Sequence, residues 1–302
     1  MPDSHSLETK KLKVLSEGVK FMALSTFAFS LANVCVKQVP HIPAMETVFF
    51  RCFFGTAFCF YGLKKAGIDW HGTNRALLFA RGVFGTAALY LFFLTLQNMP
   101  LASAMTIQYL SPIFTTFVAI FLLKEKVTAI EWFFYALAFS GVFFIQKFDT
   151  RIPLLYLILG IFSAFCSAVA YNLVRKLRQQ EHALTVVLHF QLVGMITGFV
   201  FTIFQWKMPT VSDLVYLFLI GVFSQLGQIY LTKALQREKV AGVAIINYTG
   251  LIYGLGFGWI LFGESQPAGA IFGMFLVVVG ITASILYGRK QKQLATIEAT
   301  AT

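Results

Sequence analysis

The stretch that decides the fold is residues 101–145, LASAMTIQYLSPIFTTFVAIFLLKEKVTAIEWFFYALAFSGVFFI, in which two apolar segments flank a charged turn. It recurs as residues 240–284, VAGVAIINYTGLIYGLGFGWILFGESQPAGAIFGMFLVVVGITAS, at an offset of 139. At this offset identical residues align without a gap, inside the stretch and beyond it: Asn33 with Asn172, Lys37 with Lys176, Tyr109 with Tyr248, Glu125 with Glu264, and Gly141 with Gly280. One constant offset over half the chain indicates an internal duplication.

The composition is that of a membrane protein. Of the 302 residues, 58% are hydrophobic, only 12% are charged and 34 are Phe. A soluble domain is nearer half apolar and a quarter charged. The four cysteines lie in or beside apolar segments without metal-ligand spacing, so we expect packing residues, with neither a metal site nor a cofactor.

A membrane-spanning helix needs about 20 apolar residues. Ten segments qualify: 19–37, 44–63, 76–97, 101–123, 129–146, 152–174, 183–206, 212–235, 239–262 and 268–288. The predicted fold is therefore an all-α integral membrane protein of ten helices. Each repeat, 19–146 and 152–288, holds five of them, between polar tails at 1–18 and 289–302.

Lys and Arg predict the orientation. The tails and the loops on their side carry sixteen of these residues, against four on the other side. Cytoplasmic segments are enriched in both, so we expect both termini in the cytoplasm of an inner-membrane protein. Because five is odd, the second repeat enters the membrane upside down. Inverted repeats are typical of transporters that expose a central site to alternate sides.

Four cationic residues lie inside apolar segments. Lys20 and Lys233 are near helix ends and can reach the headgroups, as Arg81 also could. Arg51 lies deeper, with Glu46 poorly spaced for pairing. An intramembrane charge normally has a partner or a water-filled cavity. Arg51 is therefore either a structural ion pair or gate, or a substrate contact.

Polar residues form stripes on several predicted helices, which indicates a shared cavity or interhelical hydrogen bonds. The stripes are Thr26, Ser30, Asn33 and Lys37; Thr86, Tyr90 and Gln97; Gln108, Ser111 and Thr115; and Gln225, Gln228 and Thr232. The Gln108 stripe continues to the small residue Ala119, and the repeat mates of its four residues are Asn247, Gly250, Gly254 and Gly258. Small residues at this spacing allow close helix packing, here of the fourth and ninth helices or at a dimer face. Alternatively, these helices slide as gates, with Gln108, Tyr109, Asn247 and Tyr248 touching solute.

Three further features have competing interpretations. Pro112 frees a main-chain carbonyl and should bend its helix. Glu125 and Glu264 each end a helix and could cap the helix that follows. His189 could titrate near neutral pH, although a lone histidine is more often packed and hydrogen-bonded.

These motifs resemble those of the drug/metabolite transporter superfamily, specifically its EamA-type members. The matching segments are IPAMETVFFRCFFG (42–55), QYLSPIFTTFVAIFLLKEKVTAIEWFFYALAFSGV (108–142) and INYTGLIYGLGFGWILFGESQPAGAIFGMFLVVVGI (246–281). MPLASAMTIQYLSPIF (99–114) is also similar to the G-type branch of solute carrier family 35. The resemblance implies gating hairpins from helices 3–4 and 8–9, and a cavity lined partly by helices 1 and 6. It also implies a second kink-forming proline, where this chain has Leu251.

The expected function is export of a small polar or amphipathic metabolite by alternating access, by a monomer or homodimer without nucleic-acid partners. Arg51, Arg81 and Lys233 favour solutes that bear a carboxylate, such as amino acids; nucleotides, purines and drug-like cations are alternatives. Catalytic motifs are absent from the sequence, so we do not expect an enzyme. A non-transporting scaffold or lipid-handling protein is the competing hypothesis. If Gln108 and Asn247 line the site, replacing either with Leu should abolish transport and leave folding intact.

Overall fold

A computed structural model describes residues 4–123, 128–177, 180–237 and 246–301. Within these ranges the chain is helical and contains no strand. The helices are α1 (Ser4–Gln38), α2 (Ala44–Ala66), α3 (Arg75–Asn98), α4 (Leu101–Gln108), α5 (Ser111–Leu123), α6 (Ala129–Phe148), α7 (Leu154–Leu177), α8 (Ala183–Gln205), α9 (Val211–Arg237), α10 (Thr249–Phe262) and α11 (Ala268–Ala301). Helices α1 and α11 continue through most of the two predicted tails.

Eight helical segments of the described chain are long and apolar enough to cross a bilayer, by length and composition alone. Helix α2 has 23 residues and the length to span, but Glu46, Arg51, Lys64 and Lys65 lower its mean hydropathy. Helix α10 has 14 residues, and residues 239–245 of the predicted ninth span lie outside the described ranges. With α2 and α10, these segments account for the ten predicted spans.

The fourth predicted span is two helices, not one. Helix α4 ends at Gln108 and α5 begins at Ser111. Between them the amides of Tyr109 and Leu110 bond to carbonyls three residues back, at 3.1 and 3.0 Å, which tightens the turn. Pro112 falls in the first turn of α5, where its missing N–H needs no partner. The interruption therefore lies just before the proline predicted to bend this helix.

Helices of the first repeat pack chiefly against helices of the second. Helix α1 packs against α9, and its repeat equivalent α7 packs against α3, the equivalent of α9. Two other pairs join equivalent helices directly: α2 with α8, and α6 with α11. Helix α4 packs against α10, the repeat equivalent of α5, and so also joins the two repeats. An approximate twofold axis in the membrane plane relates the α1–α9 pair to the α7–α3 pair and passes through the α2–α8 and α6–α11 pairs, as inverted repeats require.

Glycines set the closest of these crossings. A β-carbon on Gly141 of α6 would lie 2.5 Å from the carbonyl oxygen of Gly273 in α11, and one on Gly273 would lie 2.5 Å from that of Gly141. Only glycine permits this approach. Large apolar side chains cover the outer surface, including Phe143 (60% exposed) and Phe204 (81% exposed). Such a surface is suited to lipid rather than water.

Candidate functional site

An ion pair joins the two repeats at one end of the bundle. Lys37 Nζ at the end of α1 lies 2.7 Å from Glu264 Oε1, after α10. Glu264 Oε2 accepts from the amide of Leu101 at 2.8 Å, and Lys37 also donates to the carbonyl of Met99. We call these four residues the latch. The two side chains are only 12% and 13% exposed, so the pair is shielded from solvent.

The latch corrects one prediction. Glu264 was expected to cap the helix that follows it, α11. It instead lies at the N-terminus of α4, a helix of the other repeat, where its charge complements the positive end of the helix dipole. Glu125, its repeat mate, lies outside the described residues.

Two equivalent tyrosines meet near the middle of the bundle. The rings of Tyr109 and Tyr248 make an edge-to-face contact, with centroids 5.1 Å apart. Tyr109 Oη donates to the main-chain oxygen of Asn247 at 3.1 Å, whereas the buried hydroxyl of Tyr248 has no partner among the described residues. The Asn247 side chain accepts from Thr26 Oγ1 of α1 at 3.3 Å. The predicted contact residues Tyr109, Asn247 and Tyr248 thus lie together.

Two buried arginines share one aromatic ring. The guanidinium carbons of Arg51 on α2 and Arg81 on α3 lie 5.5 and 4.5 Å from the centroid of Phe190 on α8. The two residues are 4% and 5% exposed. Arg81 therefore does not extend to the lipid headgroups, which its position in the sequence would have allowed. The Nε and Nη1 atoms of both lack hydrogen-bond partners among the described residues. No salt bridge is found for either arginine within those residues, so the described chain supplies no partner for the structural ion pair that was one of the alternatives for Arg51.

The ring does not offset the burial of these charges. A desolvated cation gains about 2 kcal/mol on an aromatic face. Placing one charge in the membrane costs at least about 2.5–3.5 kcal/mol. Two like charges on one ring also repel each other. The arginine pair is therefore an uncompensated positive site in the described part of the bundle.

A chain of polar groups connects α8 and α2, the helices of Phe190 and Arg51, through α9. Gln191 Nε2 on α8 lies 3.2 Å from Gln225 Oε1 on α9, and Gln225 Nε2 lies 3.1 Å from Cys59 Sγ on α2. Thr86 on α3 is 4% exposed, and its hydroxyl has no partner among the described residues. Gln225, a predicted cavity residue, is thus used in an interhelical contact, whereas Thr86 keeps a free donor.

The two predicted small-residue stripes do not face each other. The glycines of α10 pack on α4, on Tyr109 at its end, or on the latch. An added β-carbon would lie 2.4 Å from Tyr109 Oη at Gly250, 2.9 Å from Met105 Sδ at Gly254 and 3.1 Å from Glu264 Oε2 at Gly258. This supports the packing interpretation for the glycines.

Gln108, at the end of α4, faces α7 instead of α10. Its Nε2 donates to Ser167 Oγ at 2.7 Å, and its Oε1 lies 3.1 Å from Ser163 Oγ. On α5 the hydroxyl of Thr115 donates to the carbonyl of Ser111 within the helix. The carbonyl of Thr115 accepts a hydrogen bond from the side-chain amide of Asn172 on α7, at 3.1 Å. Interhelical hydrogen bonds therefore account for the first-repeat stripe.

The other predicted site residues have mixed surroundings. Gln97 Nε2 donates to the carbonyls of Val39 and Ile42, at 3.3 and 3.0 Å, and so fixes the connection between α1 and α2. Asn33 is buried on α1, Tyr90 is half-buried against the main core, and Gln228 is half-buried on α9. The side chain of Thr232 lies outside the described set. His189 Nδ1 lies 2.9 Å from the carbonyl of Thr185, as expected for a packed histidine.

Phe190 and Gln191 were not among the predicted site residues. Phe190 carries no signal in a chain with 34 Phe, because only the fold reveals the cations on its ring. Gln191 could have been found, since it is an amide within an apolar helix, like Gln225.

Comparison with known proteins identifies the family. The model of the EamA-like transporter family matches twice, at residues 16–146 and 154–286. The pseudopaline exporter CntI of Pseudomonas aeruginosa is 30% identical over 90% of this chain and 97% of its own length. Solute carrier family 35 member G1 of Mus musculus is 30% identical over 92% of this chain and 80% of its own length. An S-adenosylmethionine uptake transporter of Rickettsia bellii is 23% identical over 93% of this chain and 97% of its own length.

A solved crystal structure has the same fold, with a TM-score of 0.64 over 91% of this chain and 99% of that one, at 16% identity. These relatives are named transporters, not enzymes, and none supports the scaffold or lipid-handling hypothesis. The two family matches span nearly the whole chain, which therefore belongs to the EamA-like transporter family and is a membrane transporter of small metabolites.

Proposed function

We propose that the chain exports a small polar metabolite by alternating access, with the latch closing one face of the pathway. The observation that carries the proposal is the unequal state of two equivalent lysines. Lys37 is held in the latch at 12% side-chain exposure, whereas its repeat mate Lys176 on α7 is exposed. Symmetric repeats in asymmetric states are what a carrier arrested at one point of its cycle should show.

The direction rests on topology and on a relative. With both termini in the cytoplasm, as the excess of Lys and Arg on their side favours, the latch lies at the outer face. The described conformation is then closed to the outside, in the state that would receive solute from the cytoplasm. The relative CntI is named an exporter, which agrees with this direction.

Several predicted contact residues fit a solute pathway between the repeats. Tyr248 and Thr86 have buried hydroxyls without partners in the described chain, and Arg51 and Arg81 have unpaired nitrogens. Gln97, Gln108 and Gln225 are more firmly used in holding helices together. We therefore place the solute nearer to the first four.

The test is efflux from reconstituted vesicles loaded with a mixed metabolite pool, followed by mass spectrometry with and without a pH gradient. We expect selective loss of one compound class, and the effect of the gradient will show whether protons are coupled. The matched control is Glu264→Gln, which breaks the latch and should change the rate without changing the compound class. No loss of any compound from folded, inserted protein would contradict the proposal.

A further inference from the structure

We propose that Arg51 and Arg81 bind an oxyanion group of the transported solute, a carboxylate or a phosphate. This inference rests on the proposed carrier function and specifies the chemistry of its solute. The two guanidinium groups lie at the ring of Phe190, 5.5 and 4.5 Å from its centroid.

Charge is the first argument. Both arginines are at least nine-tenths buried, and within the described chain neither has a salt bridge. Arg stays protonated in proteins, so the pair carries two positive charges. A protein that buries such charges without a partner is expected to use them for a ligand. A cationic drug or a neutral purine would leave them uncompensated, which disfavours both alternatives.

Hydrogen-bond capacity is the second argument. Unpaired donors predominate around the site: Nε and Nη1 of each arginine, and the hydroxyl of Thr86, which is near Gly194 beside Cys52. A planar guanidinium presents paired N–H groups that match the two oxygens of a carboxylate or phosphate. An oxyanion supplies only acceptors, so it satisfies a donor-rich site better than an amide or alcohol does.

Space and access are the third argument. A β-carbon on Gly85 would lie 2.0 Å from Arg81 Nη1 and 2.9 Å from Phe190, so only glycine there leaves room for this arrangement. Tyr171 of α7 lies in the neighbourhood of both arginines and is 39% exposed. The arginines thus adjoin a residue that reaches the accessible surface, although they are themselves buried.

The inference is tested by thermal unfolding of purified full-length protein, with the chloride concentration held constant. The probes are glutamate against glutamine, succinate against succinamide, and inorganic phosphate. We expect a carboxylate, phosphate, or both to raise the Tm by several degrees and the neutral amides to have no effect. A carboxylate response alone identifies a carboxylated solute, and a phosphate response alone identifies a phosphorylated one.

Variants separate binding from structure. Arg51→Gln and Arg81→Gln should lose the anion-dependent shift and, because each removes an uncompensated charge, raise the Tm without ligand. Arg51→Lys, which keeps the charge but not the fork, should retain only part of the shift. Lys233→Gln is the matched control, because Lys233 also lies over an aromatic ring, that of Phe21, but is exposed, and it should respond as the parent does.

Three results would overturn the inference: equal shifts with the amides, an undiminished shift in Arg51→Gln and Arg81→Gln, or a lower Tm for both variants without ligand. The vesicle assay keeps this failure distinct from failure of the carrier function. Efflux of a neutral compound class, unchanged in both arginine variants, would refute the anion site and leave the carrier intact. A Tm shift that depends on both the anion and the arginines, without efflux of any compound, would support the anion site and contradict the carrier function.

Discussion

Tyr109 and Tyr248 occupy equivalent positions in the two repeats, and their rings touch edge to face at 5.1 Å with planes 89° apart. Equivalent residues can meet only where the axis that relates the repeats passes between them. The pair therefore marks the centre of the bundle. Its two hydroxyls differ, because Tyr109 donates to the carbonyl of Asn247 and Tyr248 has no partner among the described residues.

This difference predicts opposite effects for the same change. Tyr109→Phe removes a hydrogen bond and should lower the free energy of unfolding by about 1 kcal/mol. Tyr248→Phe removes a buried hydroxyl without a partner and should be neutral or stabilising. Thermal unfolding of the two variants checks this, and each serves as the control of the other. If Tyr248 contacts solute, Tyr248→Phe should transport more slowly despite an unchanged Tm. Equal destabilisation by Tyr109→Phe and Tyr248→Phe would refute the difference between the two hydroxyls.

Breaking the latch should open its face of the protein. Ser103 is fully buried two residues beyond Leu101, so Ser103→Cys is a nearly isosteric reporter, used with the four native cysteines replaced. Lys37→Gln should raise its labelling by a membrane-impermeant thiol reagent about 5–30-fold, as expected for the loss of 1–2 kcal/mol. Lys147→Gln is the control, because this lysine is exposed near the same end and contacts only aromatic rings in the described structure.

The reciprocal exchange Lys37→Glu with Glu264→Lys sharpens this test. It restores opposite charges but places a cation at the amide of Leu101, so protection of the reporter should return only in part. Full protection would show that the ion pair alone closes the face. Labelling that stays unchanged in Lys37→Gln would show that the latch does not control access.

Two glycines of α10 provide a matched test of helix packing. A β-carbon on Gly250 would lie 2.4 Å from Tyr109 Oη and 2.9 Å from Thr26, whereas one on Gly256 would meet nothing within 4 Å. Gly250→Ala should therefore destabilise the protein by about 1–3 kcal/mol. Gly256→Ala should be neutral or stabilising by up to about 1 kcal/mol, since Ala favours helix over Gly. Unfolding measurements that give the same Tm for both would contradict the packing of α10 on α4.

Gln108→Leu should affect stability as well as transport. The sequence predicted a loss of transport with folding intact, but the amide bridges Ser163 and Ser167 of α7. Removing it leaves buried serine hydroxyls short of a partner, which should cost about 1–3 kcal/mol. Ser167→Ala, which removes one of these contacts from the other side, should cost less. Denaturant unfolding checks both, and an unchanged midpoint for Gln108→Leu would show that the bridge contributes nothing.

The repeat made much of the fold predictable. The constant offset of 139 and the apolar spans give five helices per repeat and their inversion. The alignment also makes Tyr109 and Tyr248 equivalent, but only the structure shows that their rings meet. The break at Tyr109–Leu110 was predictable only as a bend near Pro112, because a proline disfavours helix upstream without fixing the residue at which it ends.

The partners of charged groups were not predictable. Glu264 lies near α11 in sequence, and only the packing of α10 on α4 shows that it accepts a hydrogen bond from the amide of Leu101. Arg51 and Arg81 were recognised as unusual, but the ring they share belongs to the other repeat. Such contacts depend on which helices meet, and the sequence of one helix contains no information on its neighbour.

The pairing of helices between repeats has a consequence for biosynthesis. Helices α1, α2 and α3 find their main partners in α9, α8 and α7, which are synthesised later. The first half must therefore wait in the membrane with its packing faces against lipid, and neither half contains a complete core. A chain with only one repeat could complete the same pairs in one way, by meeting a copy of itself inserted upside down.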